Sequence, residues 1–293
     1  MHAAQDTTTA PTMERYRHVQ IEPVDRWPRW QEAGEALHAE WTKLRTARFN
    51  WWLLAGAVLV TVGVSAVGDA VVTCTPHIAS CQQDTTQLSL SGIGFGGQIL
   101  VVVLAVLAIS DEYETGMIRT TLTAMPRRTI VFAAKAALLV GVTTVAGVIS
   151  VASSILAGRL ILPSSGFTIA HGFAPLSFGN GATVRAAVGS VLYLALIALL
   201  GLGIATALRN TAGAVASALG LLYLFPLLAQ VAGSITWQRR YEAIGPMPAG
   251  LAIQASKDLR TLPIQPWPGL GVLAAWVAGA MLIGWMVQQR CDA

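Results

Sequence analysis

The chain has 293 residues, of which 54% are hydrophobic and 12% charged, about half the charge of an ordinary soluble domain. A mean hydropathy of +0.58 leaves too little polar surface to cover a water-soluble globule, and points to a membrane protein with several spans. The net charge of +4 falls beside the apolar runs, where cytoplasmic flanks need basic residues, so no nucleic-acid partner is expected.

Residues 1–50 are polar and contain no apolar core of a signal peptide. The expectation is a loose cytoplasmic tail over 1–35, followed by a membrane domain over 36–293. Just before the first apolar run, Leu37, Trp41 and Leu44 recur at helical spacing, with Arg48 further on. This reads as an amphipathic helix on the inner leaflet, with Glu40, Lys43 and Arg45 on its other faces and Trp51 and Trp52 at headgroup depth.

Six apolar runs follow, at 50–68, 92–110, 130–157, 184–208, 211–235 and 269–288. Each is long enough to cross the roughly 30 Å apolar core as a helix, and none alternates as a barrel strand does. Arg15, Arg17, Arg26, Arg29, Lys43, Arg45 and Arg48 precede the first run, Arg119, Arg127, Arg128 and Lys135 lie between or beside the second and third, and Arg290 follows the sixth. Both termini are therefore expected in the cytoplasm. The expected cell-membrane orientation puts Cys74 and Cys81 outside, in "CTPHIASC", where they are free to form a disulfide. The pair is too small a set for a structural zinc site.

"LSGIGFGGQ" (90–98) has the letters of an ATPase signature, but interrupted and leading into an apolar run. Gly92, Gly96 and Gly97 are better read as small residues that let helices approach closely. The stretch after the second run, "DEYETGMIRTTLTAMPRR", is the most polar point between spans. Glu112 and Glu114 open it, a short helix can run through Thr115, Gly116, Ile118, Arg119, Thr121 and Leu122, Pro126 stops it, and Arg127 and Arg128 mark the inner face. A solvated loop carrying topogenic arginines is the plainer reading. Segment 236–268 is broken by Gly245, Pro246, Pro248, Gly250, Pro263, Pro266 and Pro268, and "AGLAIQA" within it is too short to span. It reads as a re-entrant or surface helix, acceptable at depth only where protein buries it.

The spans themselves read as almost free of ionisable groups, which argues against an ion-coupled carrier. Gln98, Thr143, Thr144, Ser153, Ser154 and Gln230 are expected to make helix–helix hydrogen bonds. No G-x-x-x-x-G-K-[ST], H-E-x-x-H or G-x-S-x-G is present, so no cofactor, metal or catalytic group is expected in this chain.

"EWTKLRTARFNWW", "EYETGMIRTTLTAMPRRTIVFAAK", "GLGIATALRNTAGAVASALGLLYLFPLLA" and "PWPGLGVLAAWVAGAMLIGWMVQQRCDA" together resemble the permease subunits of ATP-binding cassette exporters of the type-2 class. The resemblance implies an all-α polytopic membrane protein of six transmembrane helices. It has an interfacial helix at 37–48, a cytoplasmic coupling helix at 112–128 and re-entrant outer helices before the sixth span. It also implies an ABC ATPase partner that holds the ATP and Mg, a second permease copy or a sister permease, and export by alternating access. A multi-span sensor or immunity protein that transports nothing is the rival reading.

Overall fold

In the computed structural model, residues 29–74, 83–114, 128–169, 173 and 176–291 are described. Among them there are helices and turns and no strand, as lipid demands of an unclosed chain. The order is α1 (Arg29–Thr46), α2 (Arg48–Val71), α3 (Thr85–Ser89), a π-helical turn (Ile93–Gly97), α4 (Gln98–Glu114), α5 (Arg128–Ile161), α6 (Gly181–Leu208), α7 (Thr211–Val231), α8 (Ile235–Ile244), α9 (Pro246–Leu251), a 3₁₀ turn (Ala252–Gln254) and α10 (Pro266–Cys291). The helix α1 crosses the boundary expected at residue 36.

Six segments are long and apolar enough to cross a membrane: Arg48–Val71, Thr85–Tyr113, Thr129–Ile161, Gly181–Leu208, Thr211–Val231 and Pro266–Arg290. They coincide with the six expected runs. Several outgrow them because polar residues at their ends are buried against neighbours; Asp69, one residue past the expected end of span 1, is fully buried. Spans 2 and 4 form the core, with 67% and 61% of their apolar windows buried, against 22% for spans 5 and 6. The outer spans turn Leu59, Val67, Val145, Leu156, Leu227 and Ile283 outward, a coat suited to lipid.

Small residues set the helix spacing. A Cβ on Gly97 would stand 2.1 Å from Thr61 Oγ1, and one on Gly203 2.7 Å from the Ala280 carbonyl carbon. A Cβ on Gly92 would stand 2.0 Å from the Thr61 carbonyl oxygen, so spans 1 and 2, like spans 4 and 6, meet backbone to backbone. The "LSGIGFGGQ" stretch is thus a packing element, as its glycines predict. Other elements bond to its carbonyls: Tyr223 donates to Gly94 O in the π turn at 2.9 Å, and Gln254 donates to Leu90 O just before it at 3.4 Å. Beneath it, Tyr193 donates to Gln98, whose amide reaches Met247 Sδ at 3.3 Å. Of the other expected polar groups, Thr143 bonds within its own helix, to Leu139 O at 2.7 Å.

"RNTAG" is a helix-to-helix turn. Arg209 takes the left-handed conformation (φ 54) that ends α6, and Asn210 caps α7 by accepting from Gly213 N at 2.7 Å. The broken segment 236–268 folds as α8, α9 and the 3₁₀ turn. Met247, Ala249, Gly250, Ile253 and Gln254 are buried against spans 4 and 6, which supplies the burial that such a short apolar piece requires.

Candidate functional site

At one end of the bundle, α1, the last turn of α4 and the first turns of α5 converge on four charged side chains. Glu40 and Lys43 come from α1, Glu112 from α4 and Lys135 from α5. Lys135 Nζ lies 2.6 Å from Glu40 Oε2, 3.0 Å from Glu112 Oε1 and 2.9 Å from Ala108 O. Lys43 Nζ lies 2.8 Å from both Glu40 Oε1 and Glu112 Oε1. Two carboxylates and two ammonium groups balance, which is what permits charge to be buried here. The side chains of Lys135, Glu40 and Glu112 are each 6% exposed and that of Lys43 32%. Burial alone would disfavour a charge on Lys43, but its hydrogen bonds and charge contacts with Glu112 and Glu40 outweigh this and raise its pKa above the usual lysine value.

The same end is tied further. Trp285 and Gln289 of span 6 donate to Thr129 Oγ1 at 3.4 and 3.3 Å. Arg209, in the turn between spans 4 and 5, lies over the Tyr113 ring at 5.3 Å and donates to Val287 O at 3.2 Å. The feet of spans 2, 3 and 6, the 4–5 turn and α1 thus form one connected polar layer.

The layer clamps both ends of the predicted connector. Helix α4 stops at Glu114 and α5 starts at Arg128. Thr115, Gly116, Ile118, Arg119, Thr121, Leu122, Pro126 and Arg127 lie outside the described residues, as do the side chains of Glu114 and Arg128. Glu112 faces inward, onto the two lysines.

The face expected of α1 is corrected. Leu44 is turned into the protein (7% exposed), on a stripe with Ala36 and Glu40. Leu37 and Trp41 point outward and line an apolar groove with Trp51 and Val145, and Arg48 is exposed at the start of α2. The charged residues Glu40 and Lys43 belong to the buried side because distant partners neutralise them. The expectation of spans free of buried carboxylates is corrected too: Glu112 and Asp69 both lie within membrane-length helices and are buried.

At the other end, Cys74 N donates to Ser165 O at 2.8 Å, and Gly166 adopts φ 91 where a Cβ would strike Cys74 O. Cys74 is disulfide-bonded; Cys81 lies outside the described residues. Among the described residues no group of three or more His, Cys, Asp or Glu is placed to hold a metal ion.

A model of the ABC-2 family transporter proteins matches residues 36–226, well over half of the chain, from inside α1 to late in span 5. The chain belongs to the ABC-2 transporter family. Six membrane-length helices with this match make it a multi-pass transport permease. The ABC-2 match ends before α8, so α8–α10 rest on the fold alone. No curated protein matches the chain.

Proposed function

We propose that this chain is the membrane-spanning subunit of an exporter driven by a separate ATPase, and that residues 112–128 form the element seated on that ATPase. The observation that carries the reading is the ionic layer: Glu112 and Lys135 bracket the connector and are locked to each other and to α1. A push on the connector therefore reaches spans 2 and 3 and α1 as a unit, which is what coupling demands. Shifting the bundle between two states requires only that the ATP-loaded partner favour one of them.

In this reading two permease copies, or this chain and a sister, face each other with one ATPase under each. ATP and Mg stay in the partner. The reading has that end, with both termini, in the cytoplasm, supported by the density of Lys and Arg near α1 and the connector. The proposed partner of Cys74 is Cys81. Cys291 ends α10, whose last turns touch Thr129 at the start of α5, while Cys74 sits beside Ser165 just past its other end. With α5 34 residues long, about 50 Å separates them.

The test is co-expression with the cognate ABC ATPase and ATP turnover in lipid. Leu122→Arg combined with Arg119→Glu is expected to abolish complex assembly or stimulated turnover while leaving the permease folded. A complex indifferent to both changes would remove the connector from the coupling role.

A further inference from the structure

Asp69 lies in the last turn of α2, at the end of the bundle remote from α1, and is 0% exposed. Ser89 Oγ donates to its Oδ1 at 3.0 Å, and Ser165 Oγ donates to its backbone carbonyl at 2.8 Å. Its Oδ2 is buried with no hydrogen-bond partner. On α5, Ser154 Oγ is likewise buried and unpartnered, one turn before Gly158 on the same face.

An ionised carboxylate this deep, lacking a cation, costs several kcal/mol, so such a group neutralises instead. The charged groups on the elements around it are engaged or turned away. Arg159 on α5 is exposed, Asp84 before α3 accepts from Thr86 N and Lys257 N, and the Lys257 ammonium sits 4.1 Å from the centre of the Phe173 ring. His77 and His171 lie outside the described residues. Helix α5 packs closely on the carboxyl group: a Cβ on Gly158 would stand 2.2 Å from Ser89 Oγ and 3.0 Å from Asp69 Oδ2.

We propose that Asp69 is a proton-binding site, its Oδ2 carrying a proton taken from water while α3 and α5 are closed over it. Hydronium gives up the proton to form the Oδ2–H bond, and separation of spans 1 and 3 at this end lets water take it back. The closed end is then favoured by acid. A site that binds its proton only in the closed, folded chain loses its contribution to stability as pH rises.

The test uses the full chain in lipid nanodiscs. Infrared spectra at about pH 5, where a free aspartate is ionised, are expected to show a protonated-carboxyl carbonyl band that Asp69→Asn removes. Between about pH 5 and about pH 8, the wild-type Tm is expected to fall by at least about twice as much as that of Asp69→Asn, which mimics the neutral acid. Absence of the band overturns the proposal. So does an Asn variant less stable than wild type across the whole range, because the carboxylate would then be needed in ionised form. Stabilisation by sodium or potassium at fixed pH, or loss of the pH dependence in His77→Ala or His171→Ala, also overturns it.

Discussion

Lys135 is the residue on which the ionic layer closes, since it contacts Glu40, Glu112 and the Ala108 carbonyl together. Lys135→Ala leaves two buried carboxylates sharing the half-exposed Lys43, a loss on the order of 3–5 kcal/mol. Thermal unfolding in detergent checks it, and a cycle with Glu40→Gln is expected to show about 1–3 kcal/mol of coupling. The pH response of Lys43 follows from its raised pKa. A group raised in the folded state adds stability that is full below its unfolded value, near 10.5, and is lost as pH rises through the higher folded one. The contribution of Lys43 is therefore expected to be constant through neutral pH. A Lys43→Met variant that altered the stability profile between about pH 6 and about pH 9 would contradict this.

At the scale of elements, the junctions between spans are set by glycines pressed against the neighbouring helix, Gly203 against backbone and Gly97 against the Thr61 side chain. Gly97→Val would force Thr61 aside, separating spans 1 and 2 at a cost of about 1–3 kcal/mol or more. Gly63→Ala, where an added Cβ meets nothing within 4 Å, is expected to cost no stability in the same unfolding assay and to gain at most about 1 kcal/mol of helix propensity. Most of this level was legible in the sequence. The six runs follow from length and hydropathy, and the interrupted "LSGIGFGGQ" declared its packing role through its glycines. The inward stripe of α1 was not legible. Leu37, Trp41 and Leu44 have the right spacing, but the helix turns on Glu40, whose partner Lys135 lies 95 residues away. Local periodicity carries no information about a distant counter-charge. Asp69 was hidden for a related reason: hydropathy ends a span at the first charge, whereas two buried serines and a glycine on other elements extend it.

At the scale of the whole molecule, the peripheral spans coat a core of spans 2 and 4, and span 2 runs directly into the connector. Motion at the connector therefore enters the bundle through its most buried helix and through α5, not through the lipid-facing spans. Mass mapping of the oxidised, folded chain is expected to link Cys74 to Cys81, and a link to Cys291 would contradict the placement of the two bundle ends. The central claim, that 112–128 seats on the ATPase, is tested most directly by a photo-cross-linker at Ile118 in the assembled complex. The account predicts a cross-link to the ATPase that is absent when the same group replaces outward-facing Leu59. Equal labelling at both positions, or an Ile118 probe that captures only lipid, would contradict it.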